Sequence, residues 1–148
     1  MTSGEKTLIG IVRASEMYKK SSSAILTNFG LTFAQYTVLR VLEGSENGIN
    51  TISNIGNVML VSGANMTGIA KRMEKNGLIL KKSDPADERK KLLEITPRGR
   101  QKLKDIVYEK DKLVDHYLKK IPLEKREEML TFIRILIGNG NELKNSDV

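Results

Sequence analysis

The chain has 148 residues, about the length of one domain, and carries 39% hydrophobic, 29% charged and only 5% aromatic residues. That balance supplies a core and is unlike a disordered tail; three prolines, few aromatics and no tryptophan weigh against a β-sandwich and toward helices. The absence of cysteine excludes a disulfide scaffold, a zinc-thiolate site, a nucleophilic cysteine and a thiol redox switch. No apolar run reaches membrane-spanning length, and the first residues lack the basic start and apolar run of a secretion signal, so a cytoplasmic protein is expected.

The formal charge is +7, and its position matters more than its size. Between Lys71 and Lys104 stand 12 basic and 5 acidic residues, so this one segment holds the whole excess. A local cationic surface attracts a polyanion and releases its condensed counterions, which makes nucleic acid the leading partner; a solvated lysine-rich face has the same composition.

In chain order, apolar residues from Leu8 to about Phe29 follow a helical period that Gly30 closes. Thr32 caps a second helix ending at Glu43, before Gly44 and Gly48. A third is expected over about Thr51 to Val58, although Gly56 costs it about 1 kcal/mol relative to alanine. A fourth opens on Ser62 as N-cap and closes at Asn76-Gly77. At about 100° per residue, Met66, Ile69, Ala70 and Met73 share the inward face of that helix. The opposite face then presents Ala64, Gly68, Lys71 and Lys75, flanked by Asn65, Thr67 and Arg72. Amide and hydroxyl groups there suit base edges, the cations suit phosphates, and small residues at the middle allow close approach to a groove. A solvated helix explains the lysines equally well but leaves Gly68 without a reason, since a mid-helix glycine lowers stability.

After Gly77 come two short runs, Leu78 to Lys82 and Lys90 to Ile95, about the turn-rich tip Ser83-Asp-Pro-Ala-Asp-Glu-Arg89. They read as a two-stranded hairpin with a charged tip. A short helix followed at once by a basic hairpin is the layout of a winged helix-turn-helix. Thr96 and Pro97 open a long helix with an apolar stripe from Leu103 to Leu118, and Pro122 opens a last helix expected to end at Gly138. The apolar faces of the terminal helices are expected to pair across a twofold axis, which would duplicate the reading helix; completing the chain's own core is the alternative.

These residues resemble the MarR family of transcription regulators over nearly the whole chain, and best from Leu31 to Gly99. The run from Leu31 to Leu39 is similar to that family's second helix, and Met59 to Thr67 with Arg72 to Leu78 to its recognition helix and exit. Asp87-Glu-Arg89, then Ile95-Thr96 and Gly99, matches its wing signature. The resemblance implies a mainly α fold with a small β-hairpin wing, as one domain over 1–148. A DNA-binding lobe would cover about 31–99, and dimerisation helices about 5–29 and 97–140. It also implies a homodimer on a palindromic operator, a repressor released by a small aromatic or anionic effector. Arg89 would enter the minor groove, where narrow width concentrates negative potential, and Asp87 would orient it by an ion pair. The candidate DNA-binding residues are Ser62, Ala64, Asn65, Thr67, Gly68, Lys71, Arg72, Asp87, Arg89, Lys90 and Lys91. Gly63 and Gly68 stand where many members carry larger, often basic residues, so base contacts do not transfer in full.

Other functions have less behind them. An enzyme would rest on His116 beside Asp115, but neighbours in a helix point about 100° apart, and no phosphate loop, nucleophile elbow or metal cluster accompanies them. No catalytic residue, metal or cofactor is expected. A non-regulatory nucleic-acid-binding or partner-docking winged helix shares the sequence pattern. Tyr18, Tyr36, Met17 and Arg40 suit the lining of a ligand cavity and ordinary packing alike.

Overall fold

The computed structural model describes residues 1–146 and packs as two compact units, Met1–Lys110 and Asp111–Val148. The first holds α1 (Ser3–Thr27), α2 (Phe33–Glu43), β1 (Ile49–Thr51), α3 (Ile52–Met59), α4 (Gly63–Lys75), β2 (Ile79–Asp84), β3 (Asp87–Ile95) and most of α5 (Pro97–Leu118). The second holds the end of α5 and α6 (Leu123–Ser146). The fold is mainly helical with a small antiparallel sheet, as expected.

Helix ends follow local chemistry. Thr32 and Gln35 form a reciprocal capping box on α2, each side chain accepting the other's backbone N–H at 3.1 Å. Thr51 and Ser62 cap α3 and α4 through Asn54 N–H at 3.0 Å and Asn65 N–H at 3.3 Å. At the end of α4, Gly77 sits at φ +74°, while Leu78 N–H bonds the Met73 carbonyl at 3.0 Å and Gly77 N–H that of Glu74 at 2.9 Å. That is a Schellman closure, and its left-handed residue favours glycine. Leu60 takes the same position after α3 at φ +54°, where a leucine is strained by roughly 1 kcal/mol.

The core of the first unit is continuous: Leu39 and Leu42 of α2, Ile55 of α3, Met66 and Met73 of α4, Ile79 and Leu93 of the sheet and Ile106 of α5 are fully buried. Gly56 has a packing reason that the sequence did not show. A Cβ there would meet Met66 Cγ at 3.1 Å and the Val61 carbonyl at 3.2 Å, so glycine lets α3 lie close to α4.

Three expectations are corrected. The wing is part of a three-stranded sheet, because β1 pairs with β3 on the side away from β2, Asn50 opposite Leu93. Ile69, placed in the core by its period, is only half-buried, although Met66, Ala70 and Met73 are buried. The last helix passes through Gly138 and Gly140 to Ser146, since a glycine costs a helix only about 1 kcal/mol and no proline follows. Among the described residues no helix is long and apolar enough to cross a membrane.

Candidate nucleic-acid interface

The buried positions of α4 fix what it shows outside. With Met66, Ala70 and Met73 in the core, Ala64, Asn65, Thr67, Lys71 and Arg72 are all exposed. Ser62 is exposed as well, with its oxygen engaged as the cap. Thr67 donates its hydroxyl to the Gly63 carbonyl at 2.9 Å, which leaves its oxygen as an outward acceptor. Gly68 is half-buried rather than exposed, yet a Cβ built there would find nothing nearer than Arg72 Nη1 at 4.0 Å. Gly63 is open in the same sense. No intramolecular contact therefore demands a small residue at either place.

Beside α4 the hairpin closes through two aspartates. Asp84 accepts the Ala86 N–H at 2.9 Å. Asp87 accepts the Arg89 N–H at 3.0 Å, and the same Oδ1 lies 3.4 Å from Arg89 Nε. The Arg89 side chain is 94% exposed, so the ion pair aims it without covering it. Lys90 is exposed, and Lys91 donates to Ser83 Oγ at 3.1 Å, bracing the two strands near a register shift at Ser83 and Asp84.

The elements gather only part of the predicted set. Thr67, Arg89, Lys90 and Lys91 line one cavity of about 480 Å³. Ala64, Asn65, Gly68, Lys71 and Arg72 run along α4 outside its lining.

Three residues matter here that the sequence did not single out. Ser53, in the first turn of α3, is exposed and lines the same cavity. Glu74 Oε2 accepts the backbone N–H of Lys81 at 2.8 Å, tying α4 to the start of the wing. Lys110 of α5 is 4% exposed. Its ammonium donates to Tyr18 Oη at 3.0 Å and to Ser22 Oγ, and lies 4.7 and 4.9 Å from the ring centroids of Tyr18 and Tyr36. No carboxylate pairs with it among the described residues. Its burial was readable in one respect: Leu103, Ile106 and Lys110 fall at spacings of three and four on one stripe. Met17 and Arg40, grouped with the two tyrosines in the sequence, are exposed.

Known proteins place the chain. Residues 29–90 match the model of the MarR family. The transcriptional regulator FarR of Neisseria gonorrhoeae is 29% identical over 107 residues, 72% of each chain. The structure of NadR in complex with 4-hydroxyphenylacetate is 27% identical, with 88% of this chain and 89% of that one superposed at a TM-score of 0.74. Sco3205 of Streptomyces coelicolor, a MarR family regulator solved in complex with DNA, shares the fold at 17% identity and a TM-score of 0.81, covering 94% of this chain and 89% of its own. A capped helix with an outward polar face, a wing closed by Asp87 and Arg89 and these relatives agree: over residues 29–90 the chain matches the MarR family, and the regulators it is similar to share its winged helix-turn-helix fold.

Proposed function

We propose that the chain is a cytoplasmic repressor that binds a palindromic operator as a homodimer. Each α4 enters a major groove with Ala64, Asn65, Thr67, Gly68, Lys71 and Arg72 facing the duplex, and each Arg89 enters the adjoining minor groove. One observation carries this: α4 turns a polar face with open space at Gly68 outward, beside a wing that holds its arginine extended. Dimerisation draws on apolar side chains left in solvent: Leu8, Ile9, Ile11 and Val12 on α1, and Phe132, Ile133, Leu136 and Ile137 on α6. A twofold interface covers such a stripe with its own copy.

Release belongs to a small anionic ligand. Lys110 supports this, because a buried ammonium that among the described residues meets hydroxyls and ring faces and no carboxylate gains from an anion brought beside it. NadR, the 27% identical relative, was solved with 4-hydroxyphenylacetate, an anion of this class.

The test is competition between duplexes. Genomic fragments retained by the protein supply the operator, and its affinity is compared with that of random duplex at fixed salt. A preference on the order of 10³ or more is expected of a regulator. Equal affinity for both would leave a non-sequence-specific binder instead.

A further inference from the structure

Among the described residues, three helices close on a left-handed residue. After α1, Gly30 sits at φ +72° with Leu31 N–H on the Leu26 carbonyl at 3.1 Å; after α4, Gly77 sits at φ +74° with Leu78 N–H on the Met73 carbonyl at 3.0 Å. The end of α3 has the same closure, Val61 N–H on the Gly56 carbonyl at 2.9 Å, but the left-handed residue is Leu60, at φ +54°. Glycine takes that position without steric cost, and leucine does not. Nothing within the fold repays the leucine. It is 81% exposed, more than any other large hydrophobic side chain among the described residues. The apolar contact that accompanies such a helix end is made by Val61, which packs against the core. The dimer proposed above draws on α1 and α6, and Leu60 lies on neither.

Its place in the chain says what it faces. Ser62, the N-cap of α4, comes two residues later, followed by Gly63 and Ala64; all three are small and exposed, and a Cβ at Gly63 would meet open space. The N-terminal end of a recognition helix is the part that reaches base edges. An aliphatic side chain has no hydrogen bond to give a phosphate or a base. What it fits in a major groove is the C5 methyl of thymine, the apolar group on that edge. We propose that Leu60 reads a thymine methyl in each half-site of the operator. The contact rests on the DNA-binding reading above and extends it to the turn before α4, apolar where the contacts of the helix are polar. Covering the side chain on the duplex offsets both the strained backbone and the hydrocarbon left in water.

The test removes the two halves of the contact separately. On the protein, Leu60→Gly and Leu60→Asn both accept the left-handed backbone, and each is expected to melt no lower than the wild type, because so exposed a side chain packs against little. On the DNA, each thymine of the operator is replaced in turn by deoxyuridine, which lacks only that methyl. Affinities are measured by fluorescence anisotropy at fixed salt. The wild type is expected to lose about fourfold when the contacted thymine is replaced, the worth of roughly one buried methyl. Both variants are expected to bind the unmodified operator at least about fourfold more weakly and to make no distinction between thymine and deoxyuridine at that place.

Wild-type indifference to every replacement overturns the proposal, as do variants that remain as sensitive as the wild type. Variants that bind the operator at least as tightly as the wild type also overturn it, and hand Leu60 to a partner other than DNA. Failure of the operator reading looks different: the wild type then binds operator and random duplex equally. In that case the contact is judged on random duplex made with thymine or with deoxyuridine throughout, where a wild-type preference for thymine that both variants lose upholds it and equal binding overturns it.

Discussion

Glu74 of α4 and Lys81 of β2 are joined by a side-chain carboxylate accepting a backbone N–H at 2.8 Å. β2 is an edge strand, and this N–H is one its neighbour does not use, so Glu74 both satisfies the edge and sets the wing against the recognition helix. Removing the acceptor by Glu74→Ala gives up roughly 1 kcal/mol locally. The Lys81 amide is therefore expected to exchange with solvent about fivefold faster, while amides in the centre of β3 keep wild-type protection. Hydrogen exchange by NMR checks both.

At the wing tip, Asp87 and Arg89 are expected to act as a unit. Arg89→Ala should weaken operator binding by about 1–3 kcal/mol if the guanidinium reads a base edge. Asp87→Ala should weaken it less, because the arginine remains but is no longer aimed. Since the residues are in contact, the double variant is expected to resemble Arg89→Ala rather than the sum of both losses. Fluorescence anisotropy on one operator, in a double-mutant cycle, measures the coupling.

Two glycines make opposite predictions from the same substitution. At Gly68 an added Cβ meets open space, so Gly68→Ala is expected to raise stability by up to about 1 kcal/mol through helix propensity while weakening operator binding. At Gly99 a Cβ would press into the Leu78 carbonyl and approach Ile95 Cγ1 to 2.9 Å. Gly99→Ala is expected to destabilise by about 1–3 kcal/mol, the usual cost of overpacking. Urea denaturation of the two variants gives both signs in one experiment.

Lys110 can be replaced without wrecking the fold. Lys110→Met keeps the length of the side chain and removes a buried charge that no carboxylate compensates among the described residues, so stability should stay within about 1.5 kcal/mol of the wild type. Operator affinity is expected to persist, whereas the proposed release by a small aromatic anion is expected to disappear. An unchanged response in the variant would remove Lys110 from the ligand site.

Much of this was legible in the sequence because helix boundaries have local causes. Thr32, Thr51, Ser62 and Thr96 each precede a helix and cap it, and Gly30 and Gly77 take the left-handed positions their place after a helix suggested. β1 was not legible: three residues carry no period, and their strand character exists only through pairing with Leu92, Leu93 and Glu94, far along the chain. Gly138 misled because a glycine stops a helix only when the next residues prefer another conformation. In the candidate site, the α4 face followed from the core side of the same helix. Ser53 and Glu74 did not, since both act across elements whose meeting no single segment encodes. Lys110 hid behind the ordinary expectation that lysine is exposed.

The most direct test is a hydroxyl-radical footprint of the wild-type protein on the operator it selects, repeated with Arg89→Ala. Paired α4 helices facing one side of a duplex predict two protected half-sites about one helical turn apart, each with an adjoining minor-groove protection that the variant loses. Even protection along the duplex, or protection unchanged by the loss of Arg89, would contradict the account.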